Sequence, residues 1–186
     1  MIRWLFAIFA GLVLGGIVHL VSVLVLPRVA TKDAYSRLEP VTALNATTQL
    51  PLAAPDNSLL PFRDPAFATA VCRYDLSSGS IKLAVPVSPA YTSVTFYTNN
   101  EIAYYAINDR SAGRRVIELD LMTTQQRAEL PEDEDVTAAD RLIIESPTVT
   151  GLILIKALAS EPDLMPQARA SLNAATCRVQ EDPAAR

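Results

Sequence analysis

The chain has 186 residues, half of them apolar, and a formal net charge of −4 at neutral pH. This length is enough for one folded domain with an appendage. The mild acidity excludes the basic surface with which proteins hold nucleic acid.

The first predicted element is an apolar helix. Residues 4–26 contain no charged side chain over 23 positions. A helix of this length rises about 34 Å, which is enough to cross a hydrocarbon core of about 30 Å. A cleaved signal peptide, the alternative, would have a shorter apolar core of about 7–15 residues. We therefore predict an uncleaved transmembrane anchor over residues 1–26.

One face of this anchor is predicted to pack against another membrane helix. Small and polar residues recur about every four positions, a spacing that places them on one helix face. A GxxxG pattern lets a neighbouring backbone approach closely, and an imidazole inside a bilayer needs a protein partner. The alternative is that the small residues face lipid. The predicted packing face consists of Ala7, Gly11, Gly15, His19 and Ser22.

The anchor is followed by a predicted tether. Residues 27–66 hold six of the 13 prolines, which favours an extended segment. Within it, only residues 31–39 are expected to form a short helix, with Thr31 as its cap. The folded domain is predicted over residues 67–177, and residues 178–186 are predicted to be a polar tail.

The domain is predicted to be mainly β. Apolar and polar residues alternate in seven short segments, which is typical of half-buried strands. Turn residues predict hairpins at residues 77–79, 99–100 and 147–148. The expected fold is an antiparallel sandwich or jelly-roll-like sheet behind one transmembrane helix. The predicted strands are 69–76, 80–87, 92–98, 101–107, 115–121, 141–146 and 151–159.

Two helices are predicted within the domain. Residues 123–130 carry Thr123 and Gln126 at the spacing of a capping box. The closing segment is predicted to be a helix that is capped by Asp163 and ends near Cys177.

The two cysteines, Cys72 and Cys177, both follow the anchor. A disulfide between them would close a loop of about 100 residues and stabilise the fold by up to about 4.7 kcal/mol in the chain-entropy model. The alternative is two buried, unpaired thiols. Because disulfides persist outside the cytosol, we predict a cytoplasmic amino terminus and a domain on the outer side of the membrane.

The predicted domain lacks the residues that several common kinds of catalytic and metal site require. His19, the only histidine, lies in the anchor, which excludes a Ser-His-Asp triad and a histidine metal site. The remaining glycines fit neither a Walker loop nor a dinucleotide-binding fingerprint. The acidic run 129–140 lacks EF-hand spacing and is expected to be a solvated loop. We therefore predict no cofactor and no metal.

The most site-like stretch is a corner formed by Asn108, Asp109 and Arg110, where a predicted strand ends. Asn and Asp commonly end strands by bonding their own backbone. We therefore predict a structural or partner-facing corner, held by an Asp109–Arg115 or Glu101–Arg110 ion pair.

Three segments carry a resemblance to a known family: FATAVCRYDLSSGSIKLAV, SVTFYTNNEIAYYAINDR and GLILIKALASEPDLMPQARASLNAATC. They resemble the bacterial domain of unknown function 1254, in its short form with one membrane span. The resemblance implies a mainly β, jelly-roll-like domain on the outer, periplasmic face of a bacterial inner membrane. It also implies a companion protein, because this domain is often found with a second uncharacterised domain. No activity comes with the resemblance.

The sequence is compatible with three functions. The first is an interaction module that associates with other membrane proteins through its anchor and its β domain. The second is a periplasmic small-ligand binder, and the third is an enzyme that uses Asp109 and Arg110. The ligand cleft would be lined by Tyr91, Phe96, Tyr97, Tyr104 and Tyr105.

Overall fold

A computed structural model describes residues 1–29, 34–54, 59–60, 63–130 and 142–180. The chain divides into two compact units, Met1–Asp33 and Ala34–Arg186. The first unit contains one helix, and the second is the folded domain.

The first unit is built on helix α1 (Ile2–Val29). Its segment Ile2–Leu26 has 25 residues with a mean hydropathy of 2.5, long and apolar enough to cross a membrane. N-terminal signal sequences share these two properties. The apolar side chains of this segment are exposed within the chain, and a bilayer would remove such a surface from water.

The second unit is mainly β, as predicted. Its described residues contain nine strands in two sheets, one ordered β1-β2-β8-β4-β5 and the other β7-β6-β3-β9. Neighbouring strands run antiparallel, except that β7 runs parallel to β6. The strands are β1 (Thr47–Gln49), β2 (Phe67–Asp75), β3 (Ile81–Pro86), β4 (Thr92–Thr98), β5 (Ala103–Asn108), β6 (Val116–Thr123), β7 (Leu142–Ser146), β8 (Thr150–Leu158) and β9 (Thr176–Val179).

Short helices occupy the connections. They are α2 (Ala34–Leu38), α3 (Asp109–Ala112), α4 (Thr124–Ala128) and α5 (Met165–Asn173), with 3-10 turns at Glu39–Val41, Leu76–Ser78 and Pro162–Leu164.

The main core lies between the two sheets. Alternation places every second residue of a strand on the same face, so Ile81, Leu83 and Val85 of β3 are fully buried. They belong to the same cluster as Val94 and Phe96 of the facing sheet. The predicted alternation therefore identifies the inner faces correctly.

A disulfide joins the sheets. Cys72 lies in β2 of the five-stranded sheet, and Cys177 lies in β9 of the four-stranded sheet. Their Cα atoms are 6.4 Å apart, and 105 positions separate them in the sequence. The predicted pairing is confirmed.

The part of the outer face of the five-stranded sheet that β2 and β8 form is covered by residues 34–54, which we call the strap. Leu38 and Leu50 of the strap pack on Val71 and Leu152 in a second apolar cluster. The guanidinium of Arg73 lies 4.5 Å from the centroid of the Tyr35 ring, a cation–π contact. Residues of the predicted tether are thus packed onto the domain, and they supply its first strand.

Two of the three predicted hairpins are wrong. Residues 99–100 do join the antiparallel pair β4 and β5. By contrast, residues 77–79 and 147–148 connect strands of different sheets. Residues 77–79 join β2 to β3. Strand β2 already pairs with β1 and β8, and strand β3 already pairs with β6 and β9. No edge is left for the expected pairing, so the chain crosses the sandwich instead.

The helix predictions fare differently. The capping box of α4 is present, with Thr123 and Gln126 bonding each other's backbone N–H groups. Asp163 is not a cap, since it lies in a 3-10 turn and α5 begins after it. Pro166 falls in the first turn of α5, where a missing N–H costs nothing.

The end of the fold also differs from the expectation. Helix α5 ends at Asn173, and Cys177 lies on a strand that runs to Val179, within the segment predicted as tail. Thr31, residues 131–140 of the acidic run and residues 181–186 of the tail lie outside the described residues.

Candidate functional site

The Asn-Asp-Arg corner forms the capped helical turn α3. The side-chain oxygen of Asn108 accepts a hydrogen bond of 2.9 Å from the backbone N–H of Ser111. Gly113 closes the turn in a left-handed conformation (φ 61°), and its N–H donates to the carbonyl of Asp109 over 3.1 Å. Because Gly has no Cβ, it adopts this conformation at little cost. The corner therefore connects β5 of the five-stranded sheet to β6 of the four-stranded sheet.

The charged side chains of the corner do not pair as expected. The carboxylate of Asp109 accepts a long hydrogen bond of 3.4 Å from the N–H of Thr92. Glu101 instead accepts from the backbone N–H of Ala34. Neither the Asp109–Arg115 pair nor the Glu101–Arg110 pair is present among the described residues, where the ion pairs are Arg73–Glu39 and Arg127–Glu145. Arg110 is exposed.

A solvent-open groove of about 430 Å³ lies beside this corner. Its walls come from β5, from α3, from the start of β6 and from the first residue of β7, so it runs along the edge strand of the five-stranded sheet. Sequence reasoning missed the groove because its walls come from separate segments. Its lining residues are Tyr105, Ala106, Ile107, Ser111, Ala112, Arg114, Val116, Ile117, Glu118 and Leu142.

The predicted aromatic cleft is wrong. Phe96 is fully buried in the core, with ring centroids 6.1 Å from Tyr104 and 6.0 Å from Tyr105. Tyr97 packs on the opposite face of the sheet, against the second apolar cluster. Phe96 and Tyr97 are successive residues of β4 and point to opposite faces of the sheet, so these rings do not line one cleft. Of the five predicted residues, only Tyr105 lines the groove.

A buried hydroxyl network lies at one end of the sandwich. The hydroxyl of Tyr74 lies 3.0 Å from that of Ser146 and 3.2 Å from that of Tyr104. It also donates to the carbonyl of Tyr97 over 3.2 Å. Burial raises the pKa of Tyr104 well above its usual range, and the hydrogen bond with Ser146 opposes that rise. The network satisfies polar groups that the core would otherwise leave unbonded.

Comparison with protein-family models identifies the family of this chain. The model of the protein of unknown function DUF1254 matches residues 44–178. The chain belongs to the DUF1254 family. The match confirms the resemblance of the three sequence segments and starts inside the strap.

Two solved structures resemble this DUF1254 protein. The VPA0106 protein from Vibrio parahaemolyticus is 12% identical with a TM-score of 0.59, and the match covers 78% of this chain and 34% of that protein. A putative uncharacterized protein from Burkholderia cenocepacia is 14% identical with a TM-score of 0.47, over 76% of this chain and 35% of that one. This chain therefore spans about a third of the length of each. No curated protein matches it.

The predicted packing face of the DUF1254 protein's anchor lies on α1. Ala7, Gly11, Gly15, His19 and Ser22 are all exposed within the chain. The hydroxyl of Ser22 donates to the carbonyl of Val18 over 2.8 Å, so it is satisfied within the helix. Association of this face with another helix stays a prediction.

Within the part of the chain that the structure describes, no group of three or more His, Cys, Asp or Glu side chains is placed to hold a metal ion.

Proposed function

We propose that this DUF1254 protein is a single-pass anchored interaction module of a bacterial inner membrane. In this proposal α1 stays uncleaved, the amino terminus is cytoplasmic, and the β domain lies in the periplasm. The length and hydropathy of Ile2–Leu26 support the anchor. The Cys72–Cys177 disulfide supports the oxidising side of the membrane.

One observation carries the interaction role. The fold matched in the VPA0106 protein accounts for 34% of that protein, so about two thirds of it lies outside the aligned part. A domain that folds beside a second region of the same protein has a surface suited to contacting that region. We propose that this chain uses such a surface to bind a separate protein, of which a companion domain is the leading candidate, while α1 associates with other membrane helices.

The experiment is extraction of the full chain from its own membranes in a mild detergent at native expression levels. A stable complex with a second protein is expected on a sizing column. A clean monomer across several mild detergents would contradict the proposal. Mass spectrometry of the same sample tests the anchor, because a cleaved signal would remove the first residues.

A second candidate function is small-ligand binding, which the groove of about 430 Å³ favours. Ligand sites of drug-sized molecules occupy about 300–1,000 Å³. Native mass spectrometry of the purified full chain would reveal a ligand that is retained by the β domain. A Tyr105→Ala variant should then lose it, while Tyr91→Ala, which lies outside the groove, should keep it.

A further inference from the structure

We propose that one end of the β domain binds the surface of a lipid bilayer through three exposed apolar side chains, Leu44, Ile102 and Val149, which we call the rim. This inference rests on the membrane anchor in the proposed function, and it adds a lipid surface to the protein contacts proposed there.

The residues of the rim lie at the same end of the five-stranded sheet. Ile102 directly precedes β5 and Val149 directly precedes β8, and these strands run in the same direction because each is antiparallel to β4. Leu44 precedes β1, which is antiparallel to β2 and therefore runs in that direction too. It also bridges Arg73, close to the end of β2. The rim thus extends across the strands at one end of the sheet.

Hydrogen bonds hold the backbone beside Ile102 and Val149. The N–H of Ile102 donates to the hydroxyl of Thr98 over 3.2 Å, and its carbonyl accepts from the N–H of Thr98 over 3.0 Å. The carbonyl of Val149 accepts from the N–H of Leu76 over 2.9 Å. The exposure of these two side chains is therefore fixed by the fold.

The rim concentrates the exposed apolar surface of the described part of the domain. Ile102 is 64% exposed, Val149 is 48% exposed and Leu44 is 47% exposed. The other large apolar side chains that are exposed in this part are Val41 and Leu52. Leu52 follows the end of β1 and so lies toward the opposite end of the sheet. Exposed apolar residues that gather in one place mark a surface for protein or membrane binding.

The path of the chain favours lipid as the occupant. The backbone N–H of Ala34, where the domain unit begins, donates to the carboxylate of Glu101, which directly precedes Ile102. Ala34 is eight residues beyond Leu26, the last residue of the candidate membrane span. Eight extended residues cover at most about 29 Å. The chain therefore arrives from the proposed anchor at the end of the domain that carries the rim.

The charges beside the rim favour contact through apolar side chains. Asp75 ends β2, and Glu101 is exposed next to Ile102, so anionic headgroups gain no electrostatic attraction from these two groups. The nearby cation Arg73 is buried. Apolar side chains bind at the headgroup boundary because they leave water there.

The experiment uses the full chain in phosphatidylcholine vesicles whose acyl chains carry bromine, which quenches tryptophan fluorescence at short range. Trp4, the only tryptophan, lies in α1 and is replaced by Phe. Ile102→Trp then reports on the rim, and Leu52→Trp is the matched control with the same attraction of tryptophan to membrane interfaces. We expect at least about twofold more quenching at position 102 than at position 52, with a blue-shifted emission at 102.

Charge insertion provides the second measurement, with Val149→Trp as the reporter. Ile102→Asp should reduce the quenching at position 149 to the value measured at position 52, because a carboxylate is costly to bring among lipid chains. Leu52→Asp is the control and should leave the quenching at 149 unchanged. Circular dichroism and an intact disulfide would show that each variant is folded.

The outcomes separate this inference from the proposed function. A chain that does not float with the vesicles overturns the anchor, and this inference with it. If the chain floats, equal quenching at positions 102 and 52, or quenching at 149 that Ile102→Asp leaves unchanged, overturns the rim and leaves the anchored interaction role intact. A blue shift at 102 without quenching overturns the lipid occupant, since a protein such as a second copy of this chain would then cover the rim.

Discussion

At the scale of single residues, Gly151 occupies a position where no side chain fits. It lies in β8 between Tyr74 of β2 and Thr98 of β4. An added Cβ would overlap the hydroxyl of Tyr74 and the carbonyl of Tyr97. We expect Gly151→Ala to lower the free energy of unfolding by about 3 kcal/mol, because the tyrosine must move and its hydrogen bonds break. Urea denaturation measures the loss.

Gly113 provides the matched control. A Cβ at this position meets nothing within 4 Å, although its φ of 61° disfavours side chains. Gly113→Ala should therefore cost only about 1–2 kcal/mol. A Tyr74→Phe background should recover part of the Gly151→Ala loss. Equal losses for the two glycine variants would contradict the proposed overlap.

We expect the burial of Tyr104 to make the stability of the domain sensitive to alkaline pH. Burial raises its pKa above the usual value of 10.0. A raised pKa means that the folded state holds the phenol proton more tightly than the unfolded chain does. Its contribution to stability is therefore full below about pH 10 and is lost as the pH rises above the unfolded value. Thermal unfolding between pH 8 and 11 should show this decline.

Removal of the phenol tests the assignment. Tyr104→Phe should flatten the alkaline decline while lowering stability at neutral pH, since the hydrogen bond of 3.2 Å with Tyr74 is lost. Tyr91→Phe is the control, because this residue lies outside the hydroxyl network. An unchanged slope in Tyr104→Phe would assign the decline to another group.

At the scale of elements, helix α4 depends on its cap. Thr123 and Gln126 satisfy each other's backbone N–H groups, and the Gln126 amide also donates to the carbonyl of Leu76 over 2.8 Å. Thr123→Ala should cost about 1 kcal/mol because it leaves a backbone donor unbonded. Gln125→Ala, which removes only an exposed contact with Glu129, should cost less than about 0.5 kcal/mol. Chemical denaturation compares the two, and similar losses would argue against the cap.

The elements also show what the sequence can predict. The alternation of apolar and polar residues predicts β3 and β4 correctly, because every second residue of each strand is buried and this pattern is visible within a few neighbouring residues. The predicted pairing of the strands on either side of residues 77–79 and 147–148 is wrong. Turn residues indicate only that the chain changes direction, and they do not determine which strand the next strand pairs with. In a sandwich, the same turn residues serve hairpins and crossings between sheets.

The candidate site was predicted only in part. Asn108 was recognised as the end of a strand because its side-chain capping is a local interaction. The groove was missed because its walls combine β5, α3 and β6, whose proximity depends on the sheet order. The strap was likewise read as a tether, since its prolines suggested an extended segment while Leu38 and Leu50 pack on Val71 of the sheet.

At the scale of the whole molecule, the β domain is held closed in two ways. The strap covers β2 on the outer side of the five-stranded sheet, so β2 is buried on both faces. The disulfide ties β2 to β9 and thus joins one sheet to the other. Residues far apart in the sequence are therefore fixed against each other at the centre of the fold.

The disulfide gives the last prediction. The Cys72→Ala/Cys177→Ala variant should lose about 4–5 kcal/mol of unfolding free energy, because a loop closed over 105 positions no longer restricts the unfolded chain. Urea unfolding of the detergent-solubilised chain measures this loss. Dithiothreitol should lower the native protein to the stability of the variant and leave the variant unchanged. If the reductant had no effect on the native protein, the bridge would not be formed in the cell, and the argument for a periplasmic domain would lose its chemical basis.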